Sequence, residues 1–413
     1  MRSRSSSRWL WALLSFGCGP EGNEAAVDAA SAQDTALVDS FAPDVADVPG
    51  GTDVADADDE PDAESADLVA RDDVSDILEP SDAPDTLPSN DPETPDVPLV
   101  EEEVAVEDAA VDDTAAPEDT SGPFVGPDGS WEARAPFPVS RDRAAATSAN
   151  GFLFVAGGFT PGGQPAKEMH AYSVSGNSWS AGDAMPTGRA APAHGLVTGR
   201  LYVAGGDDGT GLDHVLTERY NIGGESWLGP ALPSMPEPHC CGASASDGSR
   251  LYVAGGRGGS ASLRSYAPAE GIWRDHAPLP EGRAFGVAAF VSGRLVVGLG
   301  ANGASLALAS MTAWSPESDS WEDLAPAPAP RIAAAAVARG DRVFVAGGLD
   351  ATGAPSNTVW LFDLALGWVD APPLAVSRAF HSLLATAEGL WVVGGQGPAA
   401  HLTTLEHLPL APL

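Results

Sequence analysis

The 413-residue chain carries a formal net charge of −37, spread very unevenly: residues 19–130 hold 34 Asp and Glu against one basic residue, Arg71, whereas residues 131–413 hold 24 acidic and 17 basic residues. With Lys167 its only lysine and no basic cluster, neither part offers the phosphate neutralisation that nucleic-acid binding requires. No apolar run is long enough to span a bilayer as a helix.

In chain order, residues 1–18 read MRSRSSSRWLWALLSFGC. Three Arg precede a short apolar stretch from Trp9 to Phe16, the composition of an export signal. The ending resembles a bacterial lipoprotein signal, in which the Cys after the apolar stretch is lipidated and becomes the mature N-terminus. Ser15 stands where that family prefers Leu. The resemblance makes Cys18 the candidate lipidation site, and Gly19 after it implies outer-membrane or surface display. An ordinary secretory signal with a chance Cys is the alternative. Membrane contact is expected only through that N-terminal lipid.

Residues 19–129 are acidic text such as DVADADDEPDAESAD, with no Trp or Tyr. Such a segment cannot bury enough apolar surface to offset its ordering entropy, so a disordered linker is expected. Adjacent carboxylates such as Asp58-Asp59 lack the spaced ligands and turn Gly of a calcium loop.

From residue 130 to 413 the chain repeats itself. FLFVAGG (152–158), RLYVAGG (200–206), RLYVAGG (250–256), RLVVGLG (294–300), RVFVAGG (342–348) and the phrase ending at Gly394-Gly395 align. Sixteen residues before the first position of each terminal doublet stand Arg141, Arg189, His239, Arg283, Arg331 and Arg378. Trp131, Trp179, Trp273, Trp321 and Trp368 lie ten residues before their Arg, and Trp227 lies twelve before His239. Self-similarity at 44–50 residues means one supersecondary unit used repeatedly. The β-branched and aromatic phrases are strands, and Gly turns such as Asn150-Gly151 are hairpins. Small-residue runs such as AAAAVA (333–338) fit a crowded innermost strand.

The pattern resembles the kelch repeat, which implies a six-bladed β-propeller of four-stranded blades across residues 130–413. The last copy lacks a Trp because the chain stops first, so the strand beginning at Trp131 is expected to complete the sixth blade and close the ring.

In a propeller the loops before the innermost strands open on one face. The resemblance therefore makes Arg141, Arg189, Arg283, Arg331 and Arg378, with His239 in the third copy and Arg143 beside the first, candidates for a ligand pocket at the channel mouth. Arg can grip a carboxylate with paired hydrogen bonds. The alternative is that each Arg ties down loop carbonyls. Cys240-Cys241 breaks the pattern. Adjacent side chains on a strand point to opposite faces, which favours two buried small residues over a vicinal disulfide or a metal site. His194 is a candidate to face the channel, and His381 to be a blade residue. No catalytic triad, phosphate loop, metal set or cofactor motif is present in the pattern. The expected function is an exported, non-enzymatic binding module for a protein or glycan ligand, an acidic one being what the Arg set would suit. A carbohydrate-acting enzyme, similar to sugar isomerase or oxidase propellers, and a purely structural scaffold are the alternatives.

Overall fold

The structure, a computed structural model, describes residues 126–228 and 232–411. The expected export signal with Cys18, and the acidic segment as far as residue 125, lie outside the described residues.

The described chain forms six sheets of four antiparallel strands each, in simple sequence order within a blade. Blade 1 is representative: Ala145–Ala149, Phe152–Ala156, Met169–Ser173 and Ser178–Gly182 pair in succession. The first hairpin turns through Asn150 (φ 52°) and Gly151 (φ 79°), both left-handed, the turn geometry that matches strand twist. The innermost strands of blades 2 to 6 are Ala193–Val197, Ala243–Ser246, Val287–Val291, Ala335–Arg339 and Ser382–Thr386.

Blade 6 takes its outermost strand from the other end of the domain. Glu132–Ala133 pairs with Leu405–Pro409, placing Glu132 opposite His407 and Ala133 opposite Glu406. The closure expected from the missing Trp is therefore present, and it gives this sheet the same four strands as the other five. Among the described residues the only helix is a short 3-10 turn at Ile222–Gly224, so no helix there is long and apolar enough to cross a membrane.

A single blade has two apolar faces and can bury them only against its neighbours. One apolar cluster fills each of the six seams. Tyr202, Leu251 and Tyr266 fill the seam between blades 2 and 3, and Leu153, Tyr172 and Trp391 fill the seam that joins blade 1 to blade 6. The repeated Trp explains its own spacing. Each indole Nε1 donates to a backbone carbonyl of the preceding repeat: Trp131 to Pro372, Trp179 to Ala135, Trp227 to Asp183, Trp273 to Pro233, Trp321 to Ala277 and Trp368 to Ala325, at 2.8–3.2 Å.

The doublets close the ring from inside. The second residue of each donates its amide to the carbonyl of the next blade's Arg-type residue: Gly158 to Arg189, Gly206 to His239, Gly256 to Arg283, Gly300 to Arg331, Gly348 to Arg378 and Gly395 to Arg141, at 2.7–2.9 Å. Little room is left there, since a Cβ on Gly157 would lie 2.7 Å from the Arg189 carbonyl oxygen.

Candidate binding site at the channel mouth

The residue two positions after each Arg-type residue is in the left-handed region: Arg143 (φ 55°), Ala191 (48°), Cys241 (64°), Phe285 (52°), Ala333 (56°) and Phe380 (57°). None is Gly, so each position opposes a backbone preference. What holds them is mutual. Ala191 N donates to Arg143 O, Cys241 N to Ala191 O, Phe285 N to Cys241 O, Ala333 N to Phe285 O, Phe380 N to Ala333 O and Arg143 N to Phe380 O, at 2.7–3.1 Å. Six hydrogen bonds therefore run head to tail around the propeller axis and close on themselves. All twelve backbone groups are satisfied within the ring, so its side chains define the mouth.

All six ring residues line a shallow cavity of about 120 Å³, with Ala144, Pro192, His194, Gly242, Gly286, Ala334 and His381. A second cavity of about 160 Å³ continues down the channel between the small residues of the innermost strands and shares His194 and His381. His381, expected as a blade residue, thus faces the channel with His194. Burial holds both imidazoles below the ordinary His value, and the Arg378 charge adds to this for His381.

One side of the mouth is polar. The Arg143 guanidinium carbon lies 3.9 Å from the centre of the Phe380 ring and 5.9 Å from that of Phe285, a cation over aromatic faces. Its side chain is 8% exposed, and Nη1 donates to Asp142 Oδ1 at 2.9 Å, while Nε has no hydrogen-bond partner. The buried Asp142 carboxylate also accepts from Gln396 Nε2 at 2.7 Å and lies 3.0 Å from His401 Nδ1. Burial pushes the Asp142 carboxyl up, but Arg143, His401 and Gln396 together outweigh it and leave it below the usual carboxylate range. The same Phe380 ring belongs to an apolar cluster with Ala301, Ile332, Ala333, Leu349 and Ala379.

The six Arg-type residues, called register residues below (Arg141, Arg189, His239, Arg283, Arg331 and Arg378), line neither cavity. They are buried behind the ring, and each of the five guanidiniums bonds within the blades, whereas His239 Nε2 has no hydrogen-bond partner. Arg189 Nη1 donates to the carbonyls of Gly205 (2.7 Å) and Leu216 (2.9 Å), and Nη2 pairs with Glu218 at 3.1 Å. Arg283 Nη1 reaches the carbonyls of Leu299 and Ser310, both at 3.1 Å. Arg378 donates to Gly394 O and Thr404 Oγ1 and pairs with Glu406. Arg141 donates to Ser140 O and pairs with Glu168. Arg331 lies over Trp360 and donates to Pro330 O. Burial pulls the guanidiniums of Arg189, Arg283, Arg331 and Arg378 below their ordinary value. His239 takes the Arg place in blade 3, and burial, with Arg264 nearby, lowers it to about 4.

Cys240 and Cys241 are bonded to each other. The expectation of two separate buried side chains fails because Cys241 is left-handed rather than extended, so the opposite-face rule for strands does not apply. Behind the ring, the Cys240 sulfur and carboxylate oxygens of Asp207 and Asp213 lie within 4.8 Å of one another. Arg257 bridges the two carboxylates and its amide donates to Cys240 O at 3.0 Å. With the sulfur in a disulfide and a guanidinium on both acids, this group is an ion-pair clamp rather than a metal centre.

Six radially closed four-stranded blades around a lined channel define a six-bladed β-propeller. A family model described as Kelch motif matches residues 330–367, the stretch that holds Arg331, Gly347-Gly348 and Phe362. The chain is a kelch-repeat β-propeller. No curated protein matches it. Among solved structures, one titled "Structure of YjhT" is similar with a TM-score of 0.57 and 18% identity, over 66% of this chain and 95% of that chain. That likeness supports the fold.

Proposed function

We propose that the chain is an exported, lipid-anchored, non-enzymatic binding module that seats its ligand at the channel mouth. The observation that carries this reading is the closed hydrogen-bonded ring, which presents Arg143, Phe285 and Phe380 to one open cavity. Rigid backbone, two aromatic rings lining the cavity and a guanidinium whose Nε has no hydrogen-bond partner form a preorganised seat. It suits a protein segment that places an apolar side chain against the Phe rings and an acceptor oxygen at Arg143; a glycan acid would use the same Arg. For ligand contact by Arg141, Arg189, Arg283, Arg331 or Arg378, each guanidinium would have to leave its partners within the blade. Support for export and anchoring is the basic-apolar-Cys run of residues 1–18. Cys18→Ser should abolish a lipid-bearing N-terminal peptide and release the protein from membranes.

The test is binding of the soluble chain from residue 19 to peptide and glycan arrays at two salt concentrations. A hit lost in both Arg143→Ala and Phe380→Ala, measured on protein that circular dichroism shows to be folded, supports the seat. A hit untouched by both places the site elsewhere.

Catalysis on a sugar has one observation in its favour. His401 beside the buried Asp142 carboxylate has the arrangement of an oriented general base. Turnover lost in His401→Asn but kept in Phe380→Ala would favour that second reading.

A further inference from the structure

The vicinal disulfide has no job in the fold that its blade uniquely requires. Five other positions in the ring hold the same left-handed backbone, φ 48–57°, and make the same amide bonds with no covalent link. The corresponding pairs are Asp142-Arg143, Ala190-Ala191, Ala284-Phe285, Ile332-Ala333 and Ala379-Phe380. The repeat therefore accepts many side chains at these two places, and the ring backbone does not itself require the sulfurs of blade 3.

The two sulfurs differ in surroundings. Both are buried, but Cys241, 3% exposed, belongs to the lining of the mouth cavity, whereas Cys240, 0% exposed, lines neither cavity. Behind Cys240 stand Asp207 and Asp213, gripped by Arg257. A nucleophile can thus approach from the mouth to Cys241, while the clamp closes the route to Cys240.

We propose that Cys240–Cys241 is a thiol-exchange site entered from the mouth, which takes a small thiol as a mixed disulfide on Cys241. A thiolate attacks the Cys241 sulfur, the bond between the cysteines breaks, and Cys240 leaves with the electron pair and takes a proton from solvent. A second thiol then attacks the mixed disulfide, releasing the oxidised small disulfide and a Cys241 thiol, so that two electrons pass from two thiols to the protein. The Arg257 guanidinium among the acids behind Cys240 offsets their repulsion of the departing thiolate. The ring stays intact because its amide bonds do not involve sulfur; the mouth wall beside Phe285 changes. The inference does not depend on the mouth being a ligand seat.

The test uses the full chain carrying Cys18→Ser, so that only these two cysteines remain. Reduced glutathione is added under native conditions, the reaction is acid-quenched, and tryptic peptides are read by mass. Glutathione found on Cys241 and not on Cys240, with an unchanged melting temperature, is the expected result. Cys240→Ser should then leave a Cys241 thiol that an uncharged maleimide labels on the order of tenfold faster than it labels Cys240 in Cys241→Ser. Labelling of both single-cysteine variants only in denaturant, equal labelling of the two, or free thiols in the untreated protein would overturn the proposal. If a serine variant fails to fold, the glutathione position in the parent chain decides alone.

Discussion

Replacing Arg189 with Met keeps most of the side-chain volume and removes the charge. Two carbonyls then lose donors at 2.7 and 2.9 Å, and Glu218, 13% exposed, loses its cation while keeping Thr187 Oγ1 at 2.7 Å. Hydrogen bonds to a charged group contribute about 1.5–3 kcal/mol each, and breaking a buried pair from one side costs about 3–5 kcal/mol. Because the contributions overlap, we expect a loss of about 4 kcal/mol. For a domain of this size that corresponds to a fall on the order of 10 °C in melting temperature. Urea unfolding followed by Trp fluorescence measures it directly, with the midpoint shifting at constant slope. A loss below about 1 kcal/mol accompanied by loss of ligand binding would refute the assignment of Arg189 to the blade and return it to the mouth.

Three further outcomes follow from the same geometry. A chain beginning at Ala135 loses Trp131, its bond to Pro372 O and the strand on Leu405–Pro409; it should melt lower and self-associate through the open edge, as light scattering would show. Stability should fall as pH drops from about 6.5 to about 4. His239 titrates near 4 in the fold, so in that window the unfolded chain binds the extra proton, which is worth ~3 kcal/mol across it; below the folded value no further loss comes from this group. His239→Gln should flatten that slope in a pH series of urea midpoints. Ser244→Ala removes the hydroxyl that accepts from His194 N and donates to His194 O across the seam between blades 2 and 3, and should cost about 1–2 kcal/mol in the same assay.

The blade count and the closing strand were readable because both depend on spacing. The Trp, doublet and register positions recur wherever their indole, amide and guanidinium partners recur. The environment of the register Arg was not readable in that way. A fixed offset from Arg189 to Gly205 arises equally from a side chain facing a ligand and from one bonding Gly205 O, and only coordinates separate the two. The mouth ring was hidden for a different reason. Left-handed residues are normally betrayed by Gly, but Arg143, Ala191, Cys241, Phe285, Ala333 and Phe380 share no chemistry, only an offset of two from the register residue. Hydrogen bonds around the axis select their backbone, and sequence propensity does not record them. Phe285, Phe380 and the Asp142–His401 pair accordingly escaped notice, and Cys241 was read as an extended strand residue. Arg257 follows its doublet directly, yet nothing local announces the two acids of blade 2 that it bridges.

The most direct test of the account is a matched pair of substitutions at the mouth and behind it, each measured for ligand affinity and melting temperature. For a ligand drawn from the arrays, Arg143→Ala should weaken binding by an order of magnitude or more in protein that is still folded, beside the stability it loses with the Asp142 pair. Arg331→Ala should lower the melting temperature and leave affinity unchanged while folded. Affinity lost at Arg331 and kept at Arg143, both measured on folded protein, would contradict the placement of the ligand seat on the ring.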